Sequence, residues 1–208
     1  MSRYSSQSGF SLVETLVSIT ILLIVITGPL AISSSAAKSS SFSSEQVTAF
    51  FLAQEGVELA EKARDDFFVK NASSTVPGYD ATPWANFTRT SGAGLYKNCY
   101  INKFPLDSAV GCDFTIAGDK IGTLNLVNCN TLANCALYLD TTTNNLRSRY
   151  GHNSSNTTIT PFTRVITFEL INPNEVKVIS RVTWRTGALR VQQEALVETR
   201  LFNAYGTP

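Results

Sequence analysis

The apolar positions of this chain follow three regimes. Across residues 10–32, 23 in succession, the only charge is Glu14. As a helix rising about 1.5 Å per residue, that run would be roughly 34 Å long, enough to cross a bilayer. From Glu45, the stretch EQVTAFFLAQEGVELAEKARDDFFVK carries Val47, Phe50, Phe51, Val57, Ala60, Phe67 and Phe68 at spacings that mostly follow i, i+3, i+4. This predicts an amphipathic helix that packs through those residues, with Glu58–Lys62 and Glu61–Arg64 pairs on its polar side. Gly56 costs such a helix about 1 kcal/mol relative to Ala and suggests close packing against a sheet. From residue 159 the period changes to two. Runs 159–171, 175–185 and 188–203 are separated by Asn172-Pro173-Asn174 and by Thr186-Gly187. They predict a three-stranded antiparallel meander. Val176, Val178, Val182 and Trp184 share one face of the second strand, and Leu189, Val191, Ala195, Val197 and Leu201 share a parity on the third.

Between helix and meander, residues 70–158 are crowded with Asn, Ser, Thr, Gly and Pro, and offer short strands only near 113–117, 122–127 and 136–140. The resulting fold class is α+β: a long, bent N-terminal helix packed on a C-terminal antiparallel β-sheet, with a loop-rich, disulfide-stapled connector. The bend is expected at Gly28-Pro29, where proline withdraws a helical hydrogen bond. The serine-rich stretch 33–44 that follows favours helix only weakly.

Charge adds topology. Arg3 and the initiating amine make the short leader positive, so the leader stays cytoplasmic and the polar remainder is exported. Overall, Lys plus Arg is 17 against Asp plus Glu 16, which gives no sign of nucleic acid as a partner. Cys99, Cys112, Cys129 and Cys135 are separated by 12, 16 and 5 residues, without the CxxC pairs of zinc sites, so two disulfides are expected rather than a metal. Of the three possible pairings, closure of short loops favours Cys99 with Cys112 and Cys129 with Cys135. No cofactor is indicated. There is no Gly-x-Ser-x-Gly elbow or phosphate-cradling loop, and the sole histidine, His152, is expected to be a surface loop residue. Asp65-Asp66 suits a solvated helix face. The Asn-x-Ser/Thr triplets at Asn71, Asn86, Asn153 and Asn156 are given no role in a chain so rich in these residues.

Glu14 separates three accounts of the N-terminus. A secretory signal cut after Ser34-Ser35-Ala36 and an uncut membrane anchor both leave a carboxylate in apolar surroundings, at a cost of about 2.5–3.5 kcal/mol if central. In the third, cleavage after Gly9 gives Phe10 a new α-amine one helical turn from Glu14, or within reach of the Glu14 of a neighbouring copy. Unit charges about 4 Å apart at an effective dielectric near 20 attract by roughly 4 kcal/mol, comparable to the burial penalty.

Gly9-Phe10-Ser11-Leu12-Val13-Glu14 followed by an apolar run resembles the class III signal of type IV prepilins and pseudopilins. The resemblance implies cleavage between Gly9 and Phe10 by prepilin peptidase, N-methylation of Phe10, and Glu14 as the residue that aligns each subunit with its neighbour. Its implied partners are other pilin subunits, an inner-membrane assembly platform and the lipid bilayer. The expected division is leader 1–9, apolar helix half 10–32, amphipathic half 33–69, connector 70–158 and sheet 159–208. Within the family the chain is most similar to minor pilins of the kind named pilus modification proteins. A type II secretion pseudopilin and an anchored or secreted β-domain adhesin are the alternatives.

Overall fold

The computed structural model describes residues 9, 11–72, 83–88, 96–99, 111–116, 124–140, 149–152, 154, 157–185 and 191–203. The leader before Gly9, Phe10, the Thr186-Gly187 turn, Leu189, Asn153 and Asn156 therefore lie outside the described residues. The chain divides into two units, one ending at Ser44 and the other beginning at Glu45.

The first unit is helical. Helix α1 spans Leu12–Ala72, so its earlier part forms this unit and its later part belongs to the second. Pro29 lies inside it and cannot donate to the carbonyl four residues earlier. Helical backbone nevertheless continues across Gly28-Pro29 and through the serine-rich stretch, where Ser43 Oγ donates to the Ser39 carbonyl at 2.9 Å.

The second unit is a helix-on-sheet layer. Its strands are β1 (Cys112–Ile116), β2 (Leu124–Asn128), β3 (Ala136–Asp140), β4 (Arg149–Gly151), β5 (Thr157–Asn172), β6 (Glu175–Arg185) and β7 (Gln192–Phe202), and a short helix α2 covers Pro83–Phe87. The β5–β6–β7 meander is present, and every pairing in the sheet is antiparallel. The opposite edge of β5 is shared: its first half pairs with β3, which carries β4, and Ile166 pairs with Cys112 of β1, which carries β2. Four connector strands thus complete the same seven-stranded sheet as the meander. The expected 113–117, 122–127 and 136–140 segments are β1, β2 and β3, while β4 and α2 have no counterpart in the sequence reading.

Local chemistry explains the β5–β6 turn. Asn172 Oδ1 accepts from the Asn174 amide at 2.9 Å, Asn172 Nδ2 donates to Glu175 Oε2 at 2.8 Å, and the Asn174 carbonyl accepts from the Asn203 amide at 3.0 Å. The indole of Trp84 in α2 donates to the Pro173 carbonyl, so α2 is anchored to that turn.

Two apolar clusters fill the space between α1 and the sheet. Towards the β5–β6 turn, Ala60 and Ala63 of α1 meet Phe87, Phe168, Val178 and Leu201. Towards the other end, Ala49, Leu52 and Ala53 meet Phe162, Val182 and Trp184. The contact face of α1 differs from the expected one. Val57, Ala60 and Phe68 are buried as expected, but Val47, Phe50 and Phe51 are 56%, 51% and 63% exposed, and Ala49, Leu52, Ala53, Gly56 and Ala63 are buried in addition. The reason is distance: a Cβ placed on Gly56 would overlap Ser180 Oγ and come within 3.0 Å of Arg164 Cδ, so only small side chains fit where the helix crosses the strands. The polar face is also rewired. Lys62 pairs with Asp66 at 2.9 Å and Arg64 with Asp65 at 2.8 Å, and Glu58 accepts from Gln54.

Disulfides join Cys99 to Cys112 and Cys129 to Cys135. All four cysteines are fully buried. The first ties the turn Lys97–Cys99 to the start of β1, and the second closes the passage from β2 to β3.

Candidate functional site

The sequence places its chemistry at the N-terminal end of α1. Gly9 is exposed, and the helix opens at Ser11, whose carbonyl accepts from the amides of Glu14 at 3.0 Å and Thr15 at 3.2 Å. Glu14 lies in the first turn, where unpaired amides and the helix dipole favour a negative charge. Among the described residues no side chain pairs with its carboxylate. Phe10 is outside them, so the distance from Glu14 to that residue does not enter the geometry.

Three threonines beyond Glu14 bond to the helix's own backbone. Thr15 Oγ1 donates to the Leu12 carbonyl at 2.9 Å, Thr20 Oγ1 to Leu16 at 2.7 Å, and Thr27 Oγ1 to Ile24 at 3.1 Å. Hydroxyls folded onto the backbone leave no donor seeking water, as an apolar medium requires. Leu12, Leu16, Ile19, Leu23 and Ile32 are all exposed within the chain itself. The span within Leu12–Asp66 is long and apolar enough to cross a membrane. Such a surface calls for lipid or other helices as its cover.

The chain is thus built as an apolar N-terminal helix, with an acid in its first turn, carrying a disulfide-bonded α+β unit. Residues 4–28 match the family model described as the prokaryotic N-terminal methylation motif. Together with the long apolar helix, this match fits a type IV pilin-like protein and supports a pilin- or pseudopilin-like precursor. Comparison with curated proteins and with solved structures gives no match.

The second unit holds a feature that sequence reading missed: a buried ionic cluster between the two apolar clusters. Arg164 of β5, 2% exposed, donates through Nε to both carboxylate oxygens of Asp113 at 3.0 and 2.9 Å. Its Nη1 donates to Glu55 Oε2 at 2.9 Å and to the Leu52 carbonyl of α1 at 3.1 Å. Asp113, fully buried on β1, also accepts from the Phe114 amide at 2.7 Å. Burial opposes the charge on Arg164, but Asp113 and then Glu55 more than offset it, so its pKa is raised above the ordinary arginine value. His152 joins the cluster rather than a surface loop: its side chain is 6% exposed, and Nε2 lies 2.8 Å from Asp113 Oδ2. A second perturbed group, Tyr96, donates to the Ala63 carbonyl of α1 at 3.4 Å, and burial, then the charge of Asp66, push its pKa up to about 12.

The signal was partly visible. An arginine at an inward parity of β5, flanked by Phe162 and Ile166, requires a buried acid, although nothing local names Asp113, 51 residues away.

Proposed function

We propose that this chain is a minor structural subunit of a type IV pilus. In this reading, prepilin peptidase cuts between Gly9 and Phe10, Phe10 is N-methylated, and the mature helix is held in the inner membrane until an assembly platform moves it into the filament. Glu14 then aligns the incoming subunit by pairing with an α-amine, the Gly28-Pro29 pair gives the helix its bend, and the disulfide-bonded unit lies outside the cytoplasm. The protein has no catalytic activity of its own, being a substrate of the peptidase.

The observation that carries the reading is the methylation-motif match over residues 4–28, which includes the start of a helix whose apolar side chains stay exposed within the chain. The expected division into leader 1–9, helix halves 10–32 and 33–69, connector 70–158 and sheet 159–208 belongs to the same proposal. Mass spectrometry of the mature N-terminus tests it. Methylated Phe10 is the expected result, whereas a chain beginning at Ala37 or at Met1 indicates a conventional signal or an uncut anchor and overturns it.

A further inference from the structure

His152 follows β4 directly and is the only histidine in the chain. Its two ring nitrogens both meet acceptors. Nδ1 is 3.1 Å from the Ala136 carbonyl oxygen, which can only accept, and Nε2 is 2.8 Å from Asp113 Oδ2. Asp113 is itself engaged as an acceptor by Arg164 Nε and by the Phe114 amide. Neutral imidazole carries one N–H and one lone pair, so it satisfies one of these contacts and sets a lone pair against oxygen at the other; imidazolium satisfies both. The proton is a property of the His152–Asp113 pair, since a proton resting on Oδ2 gives the same count.

Charge balance points the same way. The charged groups of the cluster are Glu55 from α1, Asp113 from β1 and Arg164 from β5, while β3 offers the Ala136 carbonyl. With the extra proton, two positive charges meet two carboxylates; without it, Arg164 alone faces both Asp113 and the part-exposed Glu55.

We propose that His152 is a proton-operated latch. Protonated, it fastens the end of β4 to β1 and β3, and through Asp113 and Arg164 to the carbonyl of Leu52 and the carboxylate of Glu55 on α1. Deprotonated, it loses one of its two hydrogen bonds and releases the β4 end. The second unit then stiffens as its medium acidifies towards pH 5 and loosens towards pH 8. The latch depends only on the geometry of the second unit and stands whether or not the filament reading does.

The sign follows from proton binding. Only the protonated ring satisfies both acceptors, so the latch adds stability where His152 is protonated and loses it as pH rises. Unfolding of the full chain in detergent micelles can be followed through the buried Trp84 and Trp184 between pH 5 and 8. The expected result is an unfolding constant that rises about tenfold across this range relative to His152→Gln, in which the rise disappears. Equal pH profiles for the two proteins overturn the proposal. Should His152→Gln fail to fold, 15N chemical shifts of the single imidazole in the unmodified protein decide the matter. Two protonated nitrogens at pH 5–6 that lose a proton as the β4 amides become faster to exchange support the latch, and a neutral ring throughout sinks it.

Discussion

Arg164 of β5 is the residue that ties α1 to β1. Removing its charge alone leaves the Asp113 carboxyl group buried and without its guanidinium, which is the costly way to break such a pair. Arg164→Met is expected to lower stability by about 3–5 kcal/mol in urea unfolding, and adding Asp113→Leu should recover a large share of that loss. Equal destabilisation by the single and double substitutions would show that packing, not charge, holds this belt. Tyr96 provides a pH test of a different group. Its pKa stands at about 12 when folded, against about 10 in an unfolded chain, so its contribution is complete below pH 10 and is lost as pH rises towards 12. Tyr96→Phe should therefore flatten the alkaline fall in stability between pH 10 and 12, measured as the difference from the unmodified protein, while changing little at pH 7 beyond the loss of the bond to Ala63.

Among the elements, the second half of α1 shows how a helix chooses its buried face. Large apolar side chains at 47, 50 and 51 look like the packing face by periodicity, but the strands approach closely at Gly56, and a face of small residues with Leu52, Val57 and Leu59 is buried instead. Substitutions separate the two faces: Phe50→Ala and Phe51→Ala should change the stability of the second unit by no more than about 0.5 kcal/mol, whereas Leu52→Ala should cost roughly 2–4 kcal/mol. Helix and strand periods were legible because they are local. β6 runs over the expected 175–185, and the short connector strands lie within two residues of their expected limits. The pairing of connector strands with β5 was not legible, because Cys112 meets Ile166 and Leu139 meets Thr158 only after the chain has closed long loops. His152 was misplaced for the same reason: its Gly-His-Asn-Ser-Ser surroundings are those of a loop, and both of its partners are distant in sequence.

At the scale of the molecule, the two units make opposite demands on solvent. The second buries a core that includes Phe87, Phe114, Phe168, Val178 and its two cystines, and displays cross-strand ion pairs such as Lys177–Glu198 at 2.9 Å. The first leaves a continuous apolar helix uncovered, and each large side chain so exposed forgoes about 1.5–3 kcal/mol that burial would return. Lipid and a bundle of like helices are the two covers that satisfy it, and Glu14 distinguishes them: it is a liability in hydrocarbon and an asset wherever an α-amine meets it. Glu14→Ala removes the liability without touching Gly9 or Phe10. It is expected to leave membrane insertion and N-terminal processing intact while the subunit disappears from sheared filaments, which immunoblotting of the filament and membrane fractions measures directly. If the variant instead enters filaments at the normal level, the carboxylate has no part in assembly, and its place in the first turn of α1 would have to be explained by the helix dipole alone.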